Sequence, residues 1–225
     1  MRFLKIKSVP TLFWSAPKPL TVKPPLISLM MLIIGLILFG LGEALLVASG
    51  AGVSPWTVFA QGISIVTNLT IGVSTFAMSS FVLLFWIPLR QTPGAGTVLN
   101  IIIIALMLDL SAPYLPVFES SAMRLAEAAL GVIVTGFGGG IYLIANLGPG
   151  PRDGLMTGLQ RQTGLPLATV RSIIEVSAVV LGWSLGGVVG LGTLMFAFGI
   201  GPCVATSMLF LQFCFADRSA HKHIK

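Results

Sequence analysis

The sequence predicts an all-α membrane protein with about six transmembrane helices in two inverted repeats of three. Each repeat holds a short helical segment set off by proline and glycine. Three observations carry this reading: the composition, the length of the apolar runs, and a self-similarity of the chain at an offset of 96 residues. Of 225 residues, 55% are hydrophobic and only 9% are charged, against roughly 25% charged in soluble domains. A water-soluble core of this size cannot take up so much apolar surface, whereas a bilayer accepts it.

Residues 1–25 are basic and proline-rich and read as a mobile cytoplasmic leader. The first span is 26–49. A basic start before an apolar run ending in Ala48-Ser49-Gly50 resembles a secretory signal, but the run is longer than a signal's apolar core and contains Glu43. Further spans are read at 72–89, 98–117, 125–147, 168–187 and 192–214. These approach the roughly 20 apolar residues that cross a hydrocarbon core of about 30 Å, because a helix rises about 1.5 Å per residue. The organisation is then a leader (1–25), a first membrane repeat (26–120), a second (121–214) and a basic cytoplasmic tail (215–225). Lys and Arg are retained on the cytoplasmic side of short loops. With both termini inside, only Arg124 of the thirteen basic residues falls outside.

Sliding the chain by 96 residues aligns 35–97 with 131–193 without a gap, and 13 of 63 positions are identical. Seven of those are glycine, which chance alone supplies easily in such sequence. The matches also include Pro55/Pro151 and the complete Gly-x-Gly-Thr strings at 94–97 and 190–193, all in one register, which argues for duplication. Three spans per half is an odd number, so the second half enters the membrane from the opposite side.

Segments 55–67 and 151–163 are too short to span and too polar for lipid. Pro55 and Pro151 suit the first turn of a helix, where a missing N–H costs nothing. Both segments read as short helices that either re-enter the membrane or lie at its surface, re-entry requiring cover by protein or water.

The leading candidate site is Gly148-Pro149-Gly150-Pro151-Arg152-Asp153-Gly154. Gly150 and Gly154 leave the backbone open to approach. A helix starting at Pro151 offers free N–H groups to an anion, Arg152 adds a forked cationic donor, and Asp153 an acid. The first-half counterpart carries Trp56 and Thr57 in place of Arg152 and Asp153, so a site built from both would be asymmetric. The same string also reads as a tight cytoplasmic turn in which Asp153 counters the helix dipole. Arg171 and Glu175 are four apart and can pair on one helix face. Their stripe continues through Gly182 and Gly186 and is expected to face protein. Asp109 and Glu175 are candidates for coupling a proton or cation. Glu43 and Asp109 could each carry a proton or cation, but a snorkelling or interhelical hydrogen-bonded acid is the commoner explanation, since a lone charge mid-span costs about 2.5–3.5 kcal/mol on insertion scales.

Enzyme templates fail. His221 and His223 lie in the tail, and there is no Gly-x-Ser-x-Gly, Walker loop or His-Glu-x-x-His. Cys203 and Cys214 are about 16 Å apart along one helix, which excludes a bridge within it. No enzyme activity, metal, cofactor or nucleic-acid partner is therefore expected.

With Gly148 to Met156, Arg171 and Glu175, Gly186-Gly187, the glycine-threonine string at 190–193 and Ser54-Pro55-Trp56-Thr57, the chain resembles the YczE/YyaS/YitT-type bacterial integral membrane proteins, in particular their YczE-like branch. The likeness covers roughly residues 28–215. It implies a bacterial inner-membrane location and a grouping of Arg152, Asp153, Arg171 and Glu175, and it supplies no substrate. The expected function is a small-solute secondary transporter, its solute carrying an anionic group, with the site between the two halves. The alternative is a non-transporting membrane partner that acts through contacts with another protein or a second copy of itself.

Overall fold

The computed structural model describes residues 9–21 and 23–215. The described residues form eight α-helices and one short 3-10 turn, with no strand among them. The helices are α1 (Leu26–Ser49), α2 (Pro55–Thr67), α3 (Ile71–Trp86), α4 (Ala95–Ser111), α5 (Ser121–Ala145), α6 (Pro151–Thr163), α7 (Leu167–Ser184) and α8 (Leu191–Phe215), with the turn at Ala112–Tyr114. Five of them, α4 counted together with the turn that follows it, are long and apolar enough to cross a membrane. A sixth crossing is obtained if α2 and α3, bent by 112° at their junction, count as one span.

Local chemistry sets the boundaries. Pro55 and Pro151 begin α2 and α6. Gly50 and Asn146 close α1 and α5 in the left-handed conformation, and Asn68 and Gly164 do the same for α2 and α6. α3 stops at Trp86, two residues before Pro88, shorter than the sequence reading of 72–89. The ends of α1 and α5, both ends of α2 and α6, and the starts of α3 and α7 and of α4 and α8 all recur 96 residues apart.

α1 and α5 form the central pair and run antiparallel. Gly35 opposes Gly138 and Tyr142, while Gly42, further along α1, opposes Gly131 and Thr135, earlier on α5. A Cβ at Gly35 would lie 2.7 Å from the Tyr142 backbone nitrogen, so the two backbones meet at a distance only glycine permits. α4 flanks α1, with Met107 against Gly40, and α8 flanks α5, with Cys203, Val204 and Ser207 against Gly136, Gly139 and Gly140. Outside this core, α2 lies on α7 through Gly62 and Gly182, and α6 lies on α3 through Gly154 and Trp86.

The repeated Gly-x-Gly-Thr strings are reciprocal clasps. Gly96 N–H donates to the Leu147 carbonyl (2.7 Å), and Gly192 N–H donates to the Ala51 carbonyl (2.8 Å). Thr97 Oγ1 accepts from Gly94 N–H (3.1 Å) and donates to the Pro149 carbonyl (2.7 Å), and Thr193 Oγ1 accepts from Gly190 N–H (3.3 Å). Each break is thus held by the helix start of the other half.

Two further caps secure the ends of the central helices. Arg124 donates from Nε to the Ser49 carbonyl (2.7 Å) and from Nη2 to the Gly50 carbonyl (2.5 Å). At the end of α5 the leader does this work. Ser15 Oγ donates to the Ile144 carbonyl (2.6 Å), Ala16 N–H donates to the Ala145 carbonyl (3.0 Å), and Trp14 is buried edge-on against Phe215. The expectation of a mobile leader is therefore corrected for the stretch Leu12–Ala16, because Ser15 and Ala16 satisfy helix-end carbonyls and Leu12, Trp14 and Ala16 are buried. Residues 1–8, Val22 and the tail residues 216–225, His221 and His223 included, lie outside the described residues.

Gly52 has φ +112°, and a Cβ there would lie 2.6 Å from the Gly190 nitrogen, whereas Gly164, at φ +70°, has open space around it. Gly52→Ala is expected to lower stability by more than about 2 kcal/mol and Gly164→Ala by about 1 kcal/mol. Thermal unfolding in detergent, followed by tryptophan fluorescence, checks the order of the two.

Candidate functional site

The starts of α2 and α6 line one partly open cavity of about 80 Å³ between α1, α3, α4 and α5. The space holds several water-sized groups, since one needs roughly 10–15 Å³ on this measure. Each helix start contributes its cap and first turn, but the two halves furnish them differently. At α2, Ser54 is the N-cap and its Oγ accepts from Thr57 N–H (3.4 Å). Ser54 Oγ and Thr57 Oγ1 both donate to Glu43 Oε2 of α1, each at 2.7 Å. Glu43 is only 3% exposed. At α6 the cap position is Gly150, which has no side chain, and Tyr142 of α5 supplies the missing hydroxyl. Tyr142 Oη accepts from Gly150 N–H (3.2 Å) and donates to Asp153 Oδ2 (2.8 Å).

Arg152 occupies the second position of α6, 3.7 Å from Asp153 by its Nε and Oδ1. Its guanidinium makes no hydrogen bond among the described residues, and Arg152 is part of the cavity lining. Asn100 of α4 places its amide beside Gly150. Trp56 also lines the cavity, and its buried indole N–H has no hydrogen-bond partner among the described residues. Thr75 and Ser79 of α3 add hydroxyls, and Phe39, Met78, Val82 and Ile104 form the apolar wall. Chemically, the cavity offers a cationic fork and two helix starts to negative charge, and a desolvated carboxylate to positive charge or a donor.

Of the residues singled out from sequence, Gly150, Pro151, Arg152, Asp153, Trp56 and Thr57 line this cavity together. Gly154 does not; it lies under the Trp86 ring, whose Nε1 donates to the Pro151 carbonyl (3.0 Å). Arg171 and Glu175 pair at 3.0 Å on α7, outside the lining. The expectation that their whole stripe faces protein is corrected: Gly182 is buried on α2, but the Arg171 side chain is 44% exposed. Asp109 is spent elsewhere, accepting from Thr70 Oγ1 (2.6 Å) and Gly72 N–H (2.8 Å) at the start of α3. Tyr142 and Asn100 carry no signal in the sequence that points to this site, and the sequence places Glu43 in a span without its partners Ser54 and Thr57. All that stands out locally is one acid and one tyrosine in otherwise apolar, glycine-rich runs. Glu127 carries no such signal either; it is 5% exposed on α5 and neither carboxylate oxygen has a hydrogen-bond partner among the described residues.

These features define a class, a multi-pass helical membrane protein with a polar cavity at two proline-led helix starts. Residues 26–208 match DUF6198, a family of unknown function, and the chain belongs to this family of YczE-like membrane proteins. It is 44% identical over 200 residues to an uncharacterized protein of Haemophilus influenzae, covering 89% of this chain and 91% of that one. It is 31% identical over 176 residues to the uncharacterized membrane protein YczE of Bacillus subtilis, covering 77% of this chain and 82% of that one. No solved structure matches the chain.

Because Asp109 serves as a cap for α3, Asp109→Ala is expected to lower stability by about 1–2 kcal/mol without changing ligand binding in the cavity. Thermal unfolding with and without a cavity ligand measures both.

Proposed function

We propose that the protein is a small-solute secondary transporter whose site is the cavity shared by the starts of α2 and α6. The observation that carries this is the convergence of Arg152, which makes no hydrogen bond among the described residues, and the buried Glu43 on one polar space inside an otherwise apolar helix bundle. A purely structural interior would fill that volume with side chains, because an open space lined with charge in hydrocarbon costs stability. The solute's anionic group binds at Arg152 and the α6 start.

Two halves of inverted topology accompany this reading. The recurrence of helix ends at 96 residues, the antiparallel α1–α5 pair and the reciprocal clasps all support it. The distribution of Lys and Arg supports cytoplasmic termini in a bacterial inner membrane. Alternating access would then come from rocking one half against the other about the central pair. Asp109 and Glu175 do not line the cavity, and the coupling role considered for them is not carried forward.

The test is a thermal-shift screen of the purified protein in detergent against metabolite and ion panels, with uptake into vesicles for each hit. A ligand that binds only the folded protein raises the unfolding temperature by mass action, equivalent to about 2.7 kcal/mol at a hundredfold excess over Kd. Arg152→Ala is expected to abolish both shift and uptake while inserting normally. Unchanged uptake in that variant rejects the transporter mechanism.

A further inference from the structure

We infer that the solute is a small zwitterion, with its carboxylate on Arg152 and its ammonium on Glu43. This rests on the transporter reading above and names the class of substrate for the same cavity.

Two groups of opposite charge line one small space without a direct ion pair or hydrogen bond between them. The ion pairs among the described residues are Arg152–Asp153 and Arg171–Glu175, so Arg152 and Glu43 do not pair. Both keep bonding capacity. The Arg152 guanidinium makes no hydrogen bond, and Glu43 accepts both its hydrogen bonds on Oε2, leaving Oε1. Ser54 and Thr57 place two further hydroxyl oxygens around Glu43, and an ammonium group has three donors to distribute among such acceptors.

Single-charge ligands fit this lining poorly. For an anion alone, a buried carboxylate beside the site is a standing repulsion. For a cation alone, Arg152 and two helix starts oppose it. Asp153 does not rescue either case, since Tyr142 and Arg152 already engage it. A zwitterion meets both poles at once, so that neither Arg152 nor Glu43 faces a ligand group of its own sign. Met78 and Val82 in the lining are available to a short apolar substituent between the two charged groups.

The experiment compares size-matched probes on the purified full chain in detergent, by calorimetry and thermal shift. The probes are glycine, alanine, β-alanine and glycine betaine as zwitterions, propionate as the anion, and ethylamine as the cation. At least one zwitterion is expected to bind at least tenfold more tightly than both single-charge probes. Glu43→Gln, which keeps an acceptor for Ser54 and Thr57, and Arg152→Gln are each expected to weaken it by at least tenfold with the fold intact by circular dichroism. Propionate binding as tightly as alanine, and unaffected by Glu43→Gln, overturns the zwitterion and leaves the anion-site reading standing. Ethylamine binding that is indifferent to Arg152→Gln overturns both. Verified folded protein that binds none of the zwitterions overturns the inference, and the wider metabolite screen then decides the transporter reading by itself.

Discussion

The backbone at two helix breaks governs the rest of this molecule. Where α1 and α5 end, the chain runs through Gly50 to Ser54 and Asn146 to Gly150 before the next helix starts, and both stretches are buried or half-buried in protein. Each backbone polar group left unpaired there costs several kcal/mol. The repeated glycine-threonine strings solve the problem by crossing over, the clasp at 94–97 holding the break of the second half and that at 190–193 holding the break of the first. Close approach of backbone to backbone is what these contacts need, and Gly94, Gly96, Gly190 and Gly192 permit it. Neither half can complete its own break. With the breaks pinned, α2 and α6 begin at fixed points, and the cavity is the space between those points.

Similar frames carry dissimilar chemistry. Position 43 is glutamate in α1 and its counterpart, 139, is glycine in α5. Position 142 is tyrosine in α5 and its counterpart, 46, is leucine in α1. In the first half the acid therefore comes from the long helix and reaches the short one through two hydroxyls. In the second half the acid, Asp153, belongs to the short helix and the hydroxyl comes from the long one. Polarity across the cavity follows from these few exchanges, not from any difference in backbone. Caps diverge in the same way: a guanidinium closes α1, and a strap of backbone and serine closes α5.

Much of the frame was legible because it rests on local rules. Pro55 and Pro151 announced α2 and α6, and the short segments read at 55–67 and 151–163 have the same bounds in the structure. Arg152, Asp153, Trp56 and Thr57 could be grouped because they occupy the first turns of those helices. What stayed hidden depends on partners distant in sequence. Asp109 looks like a membrane acid until Thr70 and Gly72, 39 and 37 residues away, appear at its oxygens. Arg124 looks like an exception to the charge rule and is a cap for carbonyls about 75 residues earlier. Trp14 sits in a segment whose proline and lysine content suggests an undocked strand, and nothing nearby reveals the α5 end that it covers.

The docked strap has a consequence for how the protein is made. Ser15 and Ala16 leave the ribosome early, yet their acceptors are the carbonyls of Ile144 and Ala145, and the ring over Trp14 belongs to Phe215. During synthesis the strap has nothing to bind until most of the chain has been inserted. Its closure is therefore a late assembly event that reports completion, and a nascent or truncated chain lacking α8 would leave a tryptophan-bearing segment exposed to the machinery that disposes of unfinished membrane proteins.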